Sequence, residues 1–338
     1  MKLGLQLGYW TQGPEDPIDL VLEAERLGFD SVWTAEAYGS DCFSPLCWIG
    51  ARTSRIKLGT AVLQLSARTP ACAAMTAMTI DHLSGGRLIL GIGVSGPQVV
   101  EGWYGQPFPR PLERTREWVA LFRKMIKREE PVAFDGQQYQ LPIKGGAGLG
   151  KPLKLINKPL RDYIPVYIGA EGPKNVAQTI EIADGWLPIF FSPYRTDIYK
   201  DAIARAKPGF EIACTVTTIV NPDVRAAINF VKMSLGFYLG GMGAKDKNFH
   251  LDLARRLGWG AEADKVQELF LAGRRQEAFA AVPDEMADET VTYSSYSARP
   301  NAPPETMGPK PSASVSVPSA TASAPPLIVV ATSDDCVV

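Results

Sequence analysis

Short β-rich runs alternate with stretches of helical periodicity from the first residues of the chain onward. Lys2–Leu7 precedes Ile18–Leu27, Ser31–Ala35 precedes Pro45–Thr53, Ile56–Leu65 precedes Pro70–Leu83, and Arg87–Gly93 precedes Glu113–Arg128. The same cadence returns in Ile164–Gly169 with Lys174–Ala183, Trp186–Phe190 with Thr196–Ala206, and Ile212–Val220 with Val224–Leu239. The runs LGTAVLQL and LILGIGV are apolar on both faces rather than on one, the pattern of parallel strands covered on both sides. Seven such βα repeats favour a closed (β/α)8 TIM barrel over an open doubly wound sheet, because a barrel of this class uses eight repeats and about 250 residues. The expected fold class is therefore α/β.

Two segments interrupt the cadence. After the fourth helix comes VAFDGQQYQLPIKGGAGLGKPLKLINKPL, in which Asp135-Gly136 between alternating runs predicts a hairpin, followed by a Gly/Pro/Lys-rich loop expected to overhang the barrel mouth. After the seventh helix, LDLARRL, KVQELFLAG and RRQEAFAAV predict a helical insertion forming part of a lid. From about Thr292 the composition turns to Ser, Pro and Ala, too poor in apolar surface to offset the entropy of ordering. The expected division is a barrel domain over residues 1–290 and an atypical, disordered tail over residues 291–338. Within that tail LIVVAT, at 327–332, has strand character but no helix after it, so the last βα unit is altered or missing.

Composition narrows the function classes. With 46% hydrophobic and 21% charged residues and a formal net charge of −1, the chain has a soluble globular profile and no basic excess for a nucleic-acid partner. The cysteines at 42, 47, 72, 214 and 336 form no C-x-x-C pair, which fits a reducing compartment and no zinc site. Glu15, Asp16 and Asp19 occupy the stretch where a secretory signal needs an apolar core, and no apolar run reaches membrane-spanning length. A cytoplasmic location is expected.

Chemistry in an α/β barrel belongs to the loops after the strands. The fourth strand ends in Gly91, Gly93 and Gly96, a literal G-x-G-x-x-G, yet Pro97, Gly102, Gly105, Pro107, Pro109 and Pro111 are expected to keep the next stretch irregular, against a dinucleotide fold. Gly91 and Gly93 suit either a thin rim against which a flat ring lies or a tight turn. In GAEGPK, Gly169 and Gly172 precede a helix opening near Pro173, and the free N–H groups there with Lys174 suit either a phosphate or a plain βα turn. His82 falls at a helix end, whereas His250 lies in the helical insertion, in reach of a substrate or simply packed. Two histidines exclude a His-rich metal centre, and no metal is expected.

Taken in order, MKLGLQLG, AERLGFDSVWTAEAY, RIKLGTAVLQLSARTPA, TIDHLSGGRLILGIGVSG, WYGQPF, FDGQQYQLP, IPVYIGAEGPKN and IADGWLP resemble the luciferase-like oxidoreductases, and among them the branch that uses the deazaflavin coenzyme F420. The resemblance spans roughly residues 1 to 290. It implies a ring seated in the barrel mouth against a bulge with a cis bond at Ala61-Val62 and Leu63 next to it, and a loop of Val94, Ser95 and Gly96 beside the ring. It also implies a phosphate cradle of Gly169, Ala170, Glu171, Gly172, Pro173 and Lys174, with Glu36 contacting the coenzyme. Where relatives carry an Asp-His pair this chain has Glu36-Ala37, and Gln6 and Gly96 replace relatives' carboxylates, so their substrates do not transfer. The implied activity is hydride transfer between F420 and a small organic substrate. Glu36 and Tyr38, and beyond them Glu101, are the candidates for proton transfer. An FMN-dependent monooxygenase, and a cofactor-binding protein idled by its altered C-terminus, are the alternatives. A homodimer follows by analogy alone.

Overall fold

A computed structural model describes residues 2–8, 15–219, 223–243, 248–290 and 327–333. Its strands are β1 (Lys2–Gln6), β2 (Ser31–Thr34), β3 (Lys57–Thr60), β4 (Leu63–Gln64), β5 (Leu88–Gly93), β6 (Phe134–Asp135), β7 (Gln140–Leu141), β8 (Val166–Gly169), β9 (Gly185–Leu187), β10 (Glu211–Thr218) and β11 (Leu327–Ser333). The helices are α1 (Ile18–Arg26), α2 (Phe43–Gly50), α3 (Pro70–Ser84), α4 (Pro97–Gly102), α5 (Pro111–Lys127), α6 (Pro173–Ile182), α7 (Lys200–Ile203), α8 (Val224–Gly241), α9 (Phe249–Arg256), α10 (Gly260–Leu271), α11 (Arg275–Ala280) and α12 (Asp284–Thr290). Pairing runs β3-β2-β1-β11-β10-β9-β8-β5, and β3 also pairs with β5, so the sheet closes on itself as a barrel.

Seven barrel strands are parallel, as the two-sided apolar runs predict. The eighth position is taken by β11, antiparallel to both β1 and β10, with Leu327 opposite Thr218 and Ser333 opposite Ile212. It enters at the barrel mouth and runs toward the other end, covering two edges that would otherwise stay unpaired. The altered last unit is thus a strand of reversed direction with no helix after it among the described residues. The rest of the segment expected to be disordered, 291–326 and 334–338, lies outside the described residues.

The core has an outer and an inner part. Leu5, Val32, Leu58, Leu88, Leu90, Ile92, Val166 and Ile168 point from the strands toward Leu46, Ile49, Ala77, Trp118 and Phe122 on the helices. Inside the barrel, Trp33, Ile89, Tyr167, Leu187 and Ala213 pack together. Trp33 fits because its neighbours are glycines: a Cβ on Gly59 would lie 2.2 Å from the indole, and one on Gly4 2.7 Å from its Nε1. Helix ends follow the sequence signals. Thr69 accepts a hydrogen bond from Cys72 N at 3.2 Å ahead of Pro70, and Gly85, at φ 70°, ends α3.

Several expectations need correction. Asp41 accepts hydrogen bonds from Phe43 N and Ser44 N, each 2.9 Å, so α2 starts before Pro45. β9 is shorter than expected, since Phe190 adopts φ 53° and leaves the strand direction. The hairpin turn spans 136–139 and is held by Glu117, whose carboxylate accepts from Gln137 N, Gln138 N and Tyr139 N. The hairpin therefore packs on the first turns of α5, through Glu113, Arg114 and Glu117. The loop after it follows a helix and so returns to the strands' N-terminal end, where Arg128 donates to Leu155 O and His82 meets Lys158 O. The helical insertion does stand at the mouth: α9 to α12 pack on α8 through Leu251, Val266, Leu269 and Val282, and Glu289 pairs with Arg195 after β9. Among the described residues no helix is long and apolar enough to cross a membrane.

Candidate functional site at the barrel mouth

The third barrel strand is broken between β3 and β4, and the break carries a cis bond at Ala61-Val62. Val62 turns inward there, and its side chain occupies space beside two neighbouring strand ends. A Cβ on Gly93 would lie 2.6 Å from a Val62 methyl, and one on Gly169 3.4 Å from the other. Only glycine at Gly93 leaves room for this arrangement, which makes a low floor at the mouth. Leu63 faces the other way, into the layer between strands and helices, so its backbone belongs to the bulge but its side chain does not reach the mouth.

Glu36 fastens the bulge from the side. Its N–H donates to Val62 O at 3.3 Å, its carboxylate accepts from Gln64 N at 3.1 Å, and its own carbonyl accepts from Gln64 Nε2 at 3.0 Å. The buried carboxylate also holds Arg68 Nη1 at 2.5 Å. Burial pulls the Arg68 pKa down, but the bond to Glu36 outweighs it and the net shift is upward. A carboxylate held in this way positions the backbone of the bulge. Tyr104 joins the cluster, its hydroxyl donating to Ala37 O at 3.4 Å, and burial pushes its pKa up. Tyr38, by contrast, is 57% exposed, and Glu101 is exposed on α4.

Two buried glutamines end in carbonyl oxygens that have no hydrogen-bond partner among the described residues, Gln6 Oε1 and Gln64 Oε1. Gln6 follows Gly4, which faces Trp33 inside the barrel, so strand alternation turns Gln6 inward as well. Gln64 follows Val62 by the same step. Buried acceptors left open cost roughly 1–3 kcal/mol each unless a donor reaches them, so the mouth is built for a group carrying N–H or O–H.

On the opposite side, Val94 and Ser95 leave β5, with Ser95 at φ 59°, and Gly96 caps α4. A short helix thus opens at the last glycine of the G-x-G-x-x-G, where an irregular stretch was expected. Pro97 sits at its first position, where no N–H is needed. The dinucleotide reading fails for a different reason, namely that β5 is one strand of a closed barrel. Beyond β8, Ala170 O accepts from Trp186 Nε1 at 2.8 Å and Glu171 O from Arg256 Nη2 at 2.7 Å, which fixes the loop. Gly172 then begins α6 with no capping side chain, Pro173 at the first position and Lys174 exposed beside the free N–H groups. A Cβ on Gly172 would meet nothing within 4 Å, so this helix end is open space.

Glu36, Ala61, Val62, Val94, Ser95, Gly96 and Gly169 to Lys174 all lie at the strands' C-terminal end. Arg68, Gln64 and Tyr104 also belong to the cluster and escaped the sequence. Their partners lie 28 to 67 residues away, beyond any local periodicity.

The geometry defines a class: an α/β barrel with a glycine-floored seat and an anion-ready helix end at its mouth. Residues 3–299 match the family profile described as luciferase-like monooxygenase, and the chain belongs to that family. A Mycobacterium tuberculosis protein provisionally named a coenzyme F420-dependent oxidoreductase is 53% identical over 303 residues, 86% of this chain and 87% of its own. Among solved structures, the F420-dependent tetrahydromethanopterin reductase of Methanopyrus kandleri superposes with a TM-score of 0.67 at 21% identity, covering 86% of each chain. An F420-dependent secondary alcohol dehydrogenase, solved with an F420-acetone adduct, gives 0.62 at 19%, covering 82% of this chain and 91% of its own. At those identities the two structures bear on the fold. The family thus includes relatives named as F420-dependent oxidoreductases, among them one that is 53% identical to this chain.

Proposed function

We propose that this protein transfers a hydride between coenzyme F420 and a small organic substrate at the barrel mouth. The observation that carries the reading is the conjunction, at one end of the barrel, of the Val62 seat with the unpartnered Gln6 and Gln64 oxygens. A deazaflavin is flat and carries N–H and O–H donors, so the residues present fit it. When bound, it supplies a ring carbon that accepts or gives a hydride.

The chain's own residues do the rest. Val62, Gly93 and Gly169 form a surface on which a ring can lie close to backbone. Glu36 and Arg68 keep that surface rigid, which matters because hydride transfer depends on holding donor and acceptor carbons about 3–3.5 Å apart. Gln6 and Gln64 take hydrogen bonds from the ring's edge. Val94, Ser95 and Gly96 border it, with Ser95 held in a left-handed backbone that costs a non-glycine residue about 1 kcal/mol or more, the kind of strain that concentrates at sites. Gly172, Pro173 and Lys174 hold the coenzyme's phosphate at the start of α6, where N–H groups and the helix dipole favour an anion.

FMN also combines a flat ring with a phosphate, so binding decides between the two. Oxidised F420 and FMN are titrated separately into the purified protein and read by fluorescence quenching. F420 should bind with a Kd below about 10 µM, roughly 7 kcal/mol, and FMN at least about tenfold more weakly. Tight FMN binding without F420 binding overturns the proposal. F420 binding with no turnover across alcohols, aldehydes, ketones and imines makes the chain a catalytically idle binder instead.

A further inference from the structure

Glu36 is held against Arg68 at the end of the second strand. Another pair stands on the far side. His250 Nδ1 lies 3.0 Å from Glu171 Oε2, and both atoms are buried from solvent yet out of line for a hydrogen bond. Glu171 is two residues past Gly169, on the loop proposed to hold the coenzyme. His250 comes from α9, the first helix of the insertion, which enters over the rim.

The histidine is placed with care. Asn248 caps α9, accepting from His250 N at 3.0 Å and Leu251 N at 3.1 Å while donating to Leu239 O at 2.7 Å. The imidazole packs edge-on against Phe190 and Tyr238, with centroids 5.8 and 4.9 Å away. Phe190 itself holds φ 53° at the end of β9, a backbone that aromatic residues rarely adopt. On the other side, Arg256 from the next turns of α9 holds Glu171 O. Among the described residues no hydrogen bond reaches His250 Nε2.

We propose that His250 carries the proton that accompanies hydride transfer, with Glu171 as its positioning residue. This rests on the F420 reading above. With an alcohol as substrate, for example, the hydride released as the C–H bond breaks would pass to the bound coenzyme. The O–H bond breaks, its proton passes to Nε2, and the C=O bond forms. In reduction each movement reverses, and the imidazolium protonates the alkoxide oxygen. Glu171, with Oε2 3.0 Å from Nδ1, orients the ring so that Nε2 is left for the substrate. Among the described residues, the charged or titratable groups around the pair include Arg256 on α9, Tyr238 on α8, Cys214 on β10 and Tyr199 ahead of α7, whose pKa burial pushes up to about 12.

The first arm of the test needs neither coenzyme nor substrate. Because the chain holds only His82 and His250, two imidazole signals can be followed by NMR against pH. Glu171→Gln should displace the ring signals of His250, whose Nδ1 lies 3.0 Å from Glu171 Oε2, and leave those of His82 in place. An unmoved His250 signal overturns the pairing. The second arm uses a substrate found in the panel: His250→Gln should cut kcat by about 100-fold or more, flatten the pH profile, and leave F420 affinity within about twofold of wild type. Retained kcat, or a loss confined to F420 affinity with the pH profile intact, overturns the proton role. If the wild-type protein fails to bind F420, the functional reading falls instead, and the NMR arm still judges the pair.

Discussion

The two ends of this barrel differ in how their polar groups are paired. At the strands' N-terminal end every charged group named here has found a partner. Glu211 holds Lys2 and accepts Tyr167 Oη at 2.5 Å, Lys57 lies 3.1 Å from Asp30, and Trp33 Nε1 donates to Ser31 Oγ at 2.8 Å. At the mouth, Gln6 and Gln64 keep open carbonyl oxygens, Glu171 and His250 face each other unaligned, and Ser95 and Phe190 hold left-handed backbone. On the proposed reading, the same sheet provides a paired end that contributes stability and a mouth that a ligand would complete. Natural barrels put stability and chemistry at opposite faces for this reason.

Substitutions can separate the two ends. The largest effect is expected inside the barrel: Trp33→Ala should destabilise the fold by about 3–5 kcal/mol, read as the urea midpoint, because a fully buried indole leaves a cavity between Gly4 and Gly59. A loss below about 1 kcal/mol would mean the interior is looser than described. Arg68→Ala comes next, since it strands the buried Glu36 carboxylate and should cost about 3 kcal/mol, with weaker F420 binding as the bulge relaxes. Glu36→Gln with Arg68→Met should recover part of that stability.

At the mouth, Gly172→Val should do the reverse. Open space surrounds this position, so stability should change by no more than about 1 kcal/mol, while F420 affinity falls at least tenfold, about 1.4 kcal/mol. Equal loss of stability and affinity would show that the helix end is merely structural.

The smallest effect concerns pH at the paired end. Burial raises the Glu211 pKa, but the hydrogen bonds from Lys2 and Tyr167 outweigh it, so the net shift is down from 4.5. A depressed folded pKa means the stabilisation is present above about pH 4.5 and is lost as the pH falls through the folded value. Glu211→Gln should therefore remove about 1 kcal/mol near neutrality, a modest figure because Lys2 is half exposed, and flatten the acid limb of a stability-pH curve. An unchanged acid limb would remove Glu211 from the account.

Much of the fold was legible because parallel strands buried on both faces write continuous apolar runs, as LILGIGV does, and because Thr69-Pro70 and Gly85 mark helix ends locally. The direction of β11 was not: LIVVATS is equally apolar either way, and only its partners β1 and β10 set the polarity. The short helix at Pro97 was hidden by its prolines, one of which sits where proline is welcome. The Ala61-Val62 bulge was foreseen through resemblance rather than from composition. Leu63 shows the limit of that route, since one step along the strand turns a side chain to the opposite face. The Arg68 and Glu171–His250 contacts join distant loops, and no local pattern announces them.

The most direct test of the mouth as a coenzyme site is a crystal structure with oxidised F420 bound. The ring should lie against Val62 between Gly93 and Gly169, with donors reaching Gln6 or Gln64 and the phosphate at Gly172 to Lys174. A coenzyme seated anywhere else, or one that leaves both glutamine oxygens unpaired, would contradict the account.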